Sequence, residues 1–195
     1  MHPQASYRLA VAIRYWHSAR ILLEYQIRDV EFAEPVGFLL SMATELTLKA
    51  YLLDKNFSDK ALSSKKVGHD LRILLRLCIA NGFQISEPDA DGVQVLRTGH
   101  IAHYNRYGPE WNLPATIELA DEKKSLALVA RLIDLVAQDP TKLRKRHMRS
   151  PDLDWPWTLP LHGGISLEQL DLVERHAQAR ADKIAAIGLK IRQKQ

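Results

Sequence analysis

The stretch PVGFLLSMATELTLKAYLLDK, residues 35–55, decides the fold class. Its apolar residues recur at three- and four-residue steps, as they do along one face of an α-helix. Pro35 suits the first turn of a helix, and Asn56 suits its C-terminal end. The segment therefore predicts a long amphipathic helix. Its expected core stripe consists of Leu39, Ala43, Leu46, Ala50 and Leu53.

The same periodicity continues on both sides of this segment and predicts helices throughout. No run alternates cleanly between apolar and polar residues, and no Asn-Gly or Asp-Gly turn joins two β-branched segments, so no sheet is expected. The sequence predicts an all-α protein, an antiparallel four- to five-helix bundle with a C-terminal helical appendage. The predicted helices run from Ser6 to Arg28, Pro35 to Asn56, Leu71 to Ala80, Ser86 to Tyr107, Leu119 to Gln138 and Ser166 to Ile187.

Local end signals support several of these boundaries. Asp70 is a good N-cap for the helix that follows it, and Asn81–Gly82 stops that helix. Ser166 and Gln169 have the spacing of a capping box, in which each side chain bonds the other residue's backbone N–H.

The composition changes after Asp139–Pro140 and divides the chain in two. The segment 141–150 is dense in positive charge, and 151–164 is rich in proline, glycine and tryptophan. We predict a helical bundle over residues 1–139. Residues 140–195 form a basic, Pro-Trp linker and a C-terminal helix, which packs on its own protomer or reaches across a dimer.

Composition and charge narrow the class of protein. Hydrophobic residues make up 46% and charged residues 26%, which is typical of a globular chain. The single cysteine, Cys78, excludes an intramolecular disulfide framework and fits a reducing compartment. With no signal-peptide pattern and no long uncharged apolar run, we expect a cytoplasmic protein that does not associate with membranes. The net charge of +4 modestly favours polyanionic partners.

The helix that begins at Ser86 departs from the bundle pattern. His100 and His103 share a core-stripe spacing with Val93 and Leu96, so two imidazoles stand where leucines are expected. Burying polar groups costs free energy unless they find partners. The stripe therefore indicates a hydrogen-bonded interior, a wet groove or an interface.

Arg97 lies beside this stripe, so the helix is predicted to carry an arginine next to two histidines. Histidine exchanges protons near neutral pH, and the forked guanidinium of arginine suits phosphate. Together they suit phosphodiester chemistry without a metal, whereas the alternative is a pair of satisfied core histidines. His100 and His103 have a spacing that would allow zinc binding, but no third ligand is evident. We therefore predict no metal and no cofactor.

Three stretches resemble HEPN domains (higher eukaryotes and prokaryotes nucleotide-binding). The segment 35–55 is similar to the family's helix with an inward acidic residue, here Glu45, followed by a Leu-Lys pair. GHDLRILL, residues 68–75, resembles the entry to the next helix. RTGHIAHYNRY, residues 97–107, supplies an arginine and a histidine with five residues between them. The resemblance covers residues 6–137.

The resemblance implies a metal-independent endoribonuclease that acts as a homodimer, in a toxin–antitoxin or phage-defence setting. His103 would take the proton of a ribose 2′-hydroxyl or protonate the leaving oxygen, with His100 as the rival histidine. Arg97 would stabilise charge on the phosphorane. Glu45 would orient one of these groups, or else be an interior carboxylate paired with Arg97 or Arg20.

The sequence departs from one version of the family motif, because Tyr104 directly follows His103 and Asn105 holds the expected tyrosine position. This argues against nucleotide transfer to that tyrosine. His69 and Asp70 are expected to be capping residues, with a catalytic role as the alternative. The residues expected to contact substrate are Tyr104, Asn105, Arg106 and Tyr107.

The basic segment after the bundle has two interpretations. It is either a solvated linker or a track for an RNA backbone. Its members are Lys142, Arg144, Lys145 and Arg146. For the whole chain, the alternatives to a nuclease are a non-catalytic nucleotide- or protein-binding module and a structural homodimer. The expected partners are a second copy, RNA or a nucleotide, and an antitoxin or regulatory protein.

Overall fold

A computed structural model describes residues 1–25, 33–64, 67–101, 121–137 and 163–192, with backbone alone for residues 33, 98–101 and 187–192. All regular secondary structure in these ranges is helical, which confirms the prediction of an all-α helical bundle. The helices are α1 (Pro3–Tyr25), α2 (Ala33–Asp54), α3 (Asp59–Leu62), α4 (Leu71–Ala80), α5 (Glu87–Ile101), α6 (Glu122–Ala137) and α7 (Leu167–Arg192).

Helix α2 lies at the centre and contacts α1, α4, α5 and α6. It is buried on several sides rather than along one stripe, because neighbours pack around it. Leu40, Leu48 and Leu52 are fully buried, whereas Leu39 and Leu46 of the predicted stripe are half-buried. Polar residues on this helix are therefore carried into the interior.

Helix α2 is also long and apolar enough to cross a membrane, when judged by length and composition alone. Among the described residues it is the one helix that passes this test. Of the 18-residue apolar window that passes the test, 67% is buried inside the protein. A core helix of a bundle passes the same test, and the position of α2 among four other helices favours that interpretation.

Helices α1 and α6 complete the apolar side of the bundle. Leu9, Ile13 and Trp16 of α1 are buried, as their spacing predicts. The Nε1–H of Trp16 donates to the carbonyl oxygen of Leu126 at 2.8 Å. Helix α1 begins at Pro3, earlier than the predicted Ser6 start, because proline is well accommodated in a first turn.

The helix ends confirm the local signals. Asn56, after α2, adopts a positive φ of 67°. Gly82, after α4, has a φ of 88°, and the Phe83 N–H closes the helix on the Cys78 carbonyl oxygen at 2.9 Å. Cys78 itself is fully buried, and burial raises the pKa of its thiol well above the ordinary value. The thiol is therefore a packing group rather than a nucleophile.

Helix α7 packs against α4 and α5 of its own chain. Ser166 and Gln169 form the predicted capping box, with N···O distances of 2.8 and 3.2 Å. Leu170 and Val173 are buried. Just before the helix, the Ile165 N–H donates to the Ile85 carbonyl oxygen at 2.9 Å. These contacts fix the start of α7 beside α5.

Candidate functional site: the junction ahead of helix α4

The turn that leads into α4 depends on a glycine. Gly68 has a φ of 39°, and its N–H donates to the Ser64 carbonyl oxygen at 2.7 Å. A Cβ added at this position would lie 3.3 Å from that same oxygen. Glycine accepts this backbone shape without steric cost. The turn sets the next two residues, His69 and Asp70, between α2 and α5.

Asp70 makes two kinds of contact at once. Its Oδ1 accepts from the Arg72 N–H at 2.9 Å, which is the predicted N-cap of α4. It also accepts from Arg97 of α5, with Nε–Oδ1 at 2.8 Å and Nη2–Oδ2 at 3.2 Å. Partial burial alone raises the pKa of Asp70, but the bonds and charge of Arg97, with the Arg72 amide, lower it below the ordinary value. Asp70 is therefore favoured in its ionised form, and it holds the Arg97 guanidinium in place through two hydrogen bonds.

Arg97 keeps part of its hydrogen-bonding capacity. Its side chain is 26% exposed, and its two hydrogen bonds within the described part of the chain use Nε and Nη2. This leaves Nη1 for a ligand, since a guanidinium carries five N–H donors. Asp70 thus fixes the edge of the guanidinium that carries Nε and Nη2, and Nη1 can bind a ligand.

Arg97 lines a groove of about 540 Å³ formed with α4 and α7. The carboxylates of Asp171 and Glu174 in this groove bind Arg76, at 2.6 and 2.9 Å. Arg72 and Arg175 form no ion pair within the described ranges, so the groove keeps a positive bias. The lining residues are Arg72, Gln94, Arg97, Asp171, Glu174, Arg175, Ala177, Gln178 and Ala181.

Glu45 of α2 points inward, as the sequence predicts, and its side chain is 3% exposed. Lys49, one turn later, donates to it from Nζ at 2.8 Å and is also buried. The Nδ1 of His69 lies 2.9 and 3.1 Å from the two carboxylate oxygens. Of the two arginines expected to pair with Glu45, Arg97 binds Asp70, and Arg20 forms an ion pair with Glu24 at 3.1 Å.

These contacts join three helices at one place. His69 and Asp70 are consecutive, so the chain links Glu45 on α2 to Arg97 on α5. The Ser41 hydroxyl contacts the Leu96 carbonyl oxygen at 3.3 Å, which brings α2 and α5 together beside this point. We call the set the α4 junction. It consists of Glu45, Lys49, His69, Asp70 and Arg97.

For most of the predicted site residues, the structure describes no side chain. Arg97 and Glu45 are described, and both belong to the α4 junction. The backbone of His100 lies within α5. His103 is outside the described residues, so its approach to Arg97 stays a prediction. The same holds for Tyr104, Asn105, Arg106, Tyr107, Lys142, Arg144, Lys145 and Arg146.

The sequence interpretation missed the role of His69. It treated His69 as a capping residue, but Asp70 makes the cap and the imidazole reaches α2 instead. The available signal was the Gly-His-Asp-Leu stretch, in which a turn glycine precedes two polar residues and a helix. Contact between His69 and Glu45 could not be read from it, because the two are far apart in sequence.

Among the described residues, no group of three or more His, Cys, Asp and Glu side chains is arranged to hold a metal ion. In comparisons with known proteins, no family model matches the chain, and no curated protein or solved structure matches it either.

Proposed function

We propose that the chain is a HEPN-type, metal-independent endoribonuclease that acts as a homodimer. The observation that carries the proposal is the arrangement of Arg97. Its guanidinium is clamped by Asp70 through two bonds and is partly exposed at a groove. Such a fork can donate to a phosphate oxygen without first being ordered.

The surroundings of Arg97 support phosphate rather than a neutral ligand. Arg72 and Arg175 add positive charge to the same groove, while Arg76 engages its two carboxylates. Cations near a polyanion release counterions and favour binding. The negative charge of Asp70 partly offsets the positive charge of the groove. Its two hydrogen bonds also fix the orientation of the Arg97 guanidinium. The balance favours a site that positions a phosphodiester.

In the proposed reaction, Arg97 stabilises the charge that develops on the phosphorus oxygens. His103 transfers a proton to or from the ribose oxygens, with His100 as the alternative. A second protomer contributes its own motif helix to a composite site. The cytoplasmic location, the toxin–antitoxin or phage-defence setting and an antitoxin partner belong to the same proposal and follow from the family resemblance.

A second candidate is a non-catalytic module that binds a nucleotide. It is favoured by the bidentate Arg97–Asp70 pair, which suits a fixed binding residue. The groove volume of about 540 Å³ also lies in the range of small-molecule sites. This module would bind the phosphate of a nucleotide at Arg97 without cleaving RNA.

The test is incubation with tRNA and total RNA in EDTA. Wild type, Arg97→Ala and His103→Ala are compared with Arg14→Ala, which removes an exposed arginine of α1. We expect cleavage by wild type and Arg14→Ala and loss of cleavage in both site variants. Cleavage by Arg97→Ala at the wild-type rate would contradict the proposal. No cleavage by folded wild type, with thermal stabilisation by nucleotides, would favour the binding module.

A further inference from the structure

We infer that Arg175 of α7 is a second phosphate-binding residue of the groove and that the ligand is an extended RNA strand rather than a mononucleotide. This inference rests on the proposed function, in which the groove binds RNA, and it names the substrate more closely. The carrying observation is that Arg175 lines the same groove as Arg97 but comes from another helix. That helix lies outside the residues that resemble HEPN domains.

One face of α7 follows the groove. Asp171, Arg175 and Gln178 recur at three- and four-residue steps, which places them on the same side of the helix. From Asp171 to Ala181, the lining contributed by α7 extends for about 15 Å at the rise of an α-helix. A single phosphate group fills only part of a groove of this length, so the groove suits an extended ligand.

The guanidinium of Arg175 is not neutralised by the nearest acidic residue of its own helix. Asp171 lies one turn earlier, at a spacing that allows ion pairs on a helix surface. Its carboxylate instead binds Arg76 of α4 at 2.6 Å, and Glu174 binds the same arginine at 2.9 Å. The Nε–H of Arg175 donates to the Asp171 backbone carbonyl oxygen at 3.3 Å. Within the described part of the chain, the terminal nitrogens of Arg175 therefore keep their donors for a ligand.

The distribution of charge places the positive surplus of the groove at α7. Asp70 offsets the charge of Arg97, to which it is bound. Arg76 binds the two carboxylates of α7, and Arg72, which lines the same groove, offsets the remaining negative charge. The charge of Arg175 is then left over. A second phosphate that binds at Arg175 compensates it.

These features distinguish an RNA strand from a mononucleotide. A strand carries a negative charge at every phosphodiester, and a groove lined by cations can follow such a backbone. A nucleoside monophosphate carries one phosphate, which leaves either Arg97 or Arg175 without a ligand. A strand can place one phosphate at Arg97 and another at Arg175. The appended helix is therefore a substrate-binding element.

The first experiment measures binding separately from cleavage. The probe is a short, fluorescently labelled 2′-O-methyl RNA, which lacks the free 2′-hydroxyl that the proposed reaction requires. Its affinity is measured by anisotropy at several salt concentrations for the full-length wild type and Arg175→Ala. The control is Lys183→Ala, which removes an exposed cation of α7 that does not line the groove.

We expect Arg175→Ala to lose about 10-fold in affinity for this probe, because a charge-assisted hydrogen bond to a phosphate is removed. The slope of log affinity against log salt concentration should become shallower by about 0.7, the value for one phosphate contact on a single strand. Lys183→Ala is expected to keep the wild-type slope. An equal change of slope in both variants would overturn the assignment to Arg175.

The second experiment tests the class of ligand by competition of AMP and ATP against the labelled RNA. We expect wild type to bind the strand more tightly than either nucleotide by about 10-fold or more, and Arg175→Ala to narrow this difference. Equal binding of ATP and the strand by wild type would overturn the assignment of an RNA strand.

The outcomes separate this inference from the nuclease activity. Cleavage by wild type, together with wild-type affinity and salt slope in Arg175→Ala, overturns the inference and leaves the nuclease proposal standing. Binding that depends on Arg175 without any cleavage supports the inference and overturns the nuclease alone. Absence of both binding and cleavage by folded wild type overturns both. Since Arg175 is exposed, its variant is expected to fold, which circular dichroism checks.

Discussion

The two sides of α2 are built by different interactions. Towards α1 and α6 the core is mostly apolar, with buried residues such as Trp16 and Leu132, and one ion pair joins Arg131 of α6 to Asp89 of α5. Among α4, α5 and α7, ion pairs bridge the helices: Arg97 to Asp70, Arg76 to Asp171, and Arg180 to Asp91. Apolar burial supplies most of the folding free energy, whereas ion pairs mainly fix geometry. We therefore expect the side facing α1 and α6 to supply most of the stability. The side with the ion pairs carries the candidate functional site.

The largest expected effect on stability comes from the apolar side. Trp16→Ala removes a buried indole and its bond to the Leu126 carbonyl oxygen. We expect a loss of about 3–5 kcal/mol in the free energy of unfolding, measured by denaturant titration. The control is Tyr7→Ala, on the same helix but 61% exposed. If both variants lost a similar amount of unfolding free energy, burial on the apolar side would not be the main source of stability.

The next largest effect on stability is expected at the buried ion pair between Glu45 and Lys49. Lys49→Met leaves a buried carboxylate without its ammonium partner, at a cost of about 3 kcal/mol. The double variant Lys49→Met/Glu45→Leu removes both charges and is expected to recover much of that loss. If the double variant were no more stable than the single one, the unpaired charge of Glu45 would not be the cause of the loss.

A smaller effect is expected at Asp70, and it depends on pH. Because the folded pKa of Asp70 lies below its ordinary value of 3.8, its charge stabilises the fold above that pH. This contribution is lost as the pH falls through the lowered folded pKa. Asp70→Asn keeps an N-cap side chain but loses the charge.

We therefore expect Asp70→Asn to cost about 1 kcal/mol at pH 7 and progressively less below pH 4. Thermal unfolding of both proteins across this pH range provides the measurement. A difference that stays constant down to pH 2 would show that the charge on Asp70 is not its cause.

The smallest effect is expected at the exposed pair between α5 and α7. Arg180 and Asp91 lie 2.6 Å apart, but each side chain is 37% exposed. Solvent screens such pairs, so Arg180→Ala should change the unfolding free energy by less than about 1 kcal/mol. A double-mutant cycle with Asp91→Ala measures the coupling. A coupling above about 2 kcal/mol would mean that ion pairs also hold this side together.

Interactions between residues close in sequence could be predicted well. The Asp70 cap, the Asn81–Gly82 stop and the Ser166–Gln169 capping box follow from local chemistry, and the structure confirms them. Each depends on a side chain and a backbone group only a few residues apart.

Interactions set by packing could not be predicted in the same way. Periodicity gave α2 a single buried stripe, but neighbours on several sides bury Leu40 and Leu48 more completely than Leu39. The sequence also offered arginines as partners for Glu45, whereas the structure brings Lys49 and His69 to it. Which of several candidate groups meets a buried carboxylate depends on the three-dimensional path of the turn at Gly68.

The proposed function depends on Arg97 binding a phosphate through its forked guanidinium. The most direct measurement is the rate of tRNA cleavage in EDTA by Arg97→Lys, beside wild type and Arg14→Lys. Lysine keeps the positive charge but cannot make the same paired bonds. We predict a loss of about 100-fold for Arg97→Lys and none for Arg14→Lys. Equal rates for Arg97→Lys and wild type would contradict the claim.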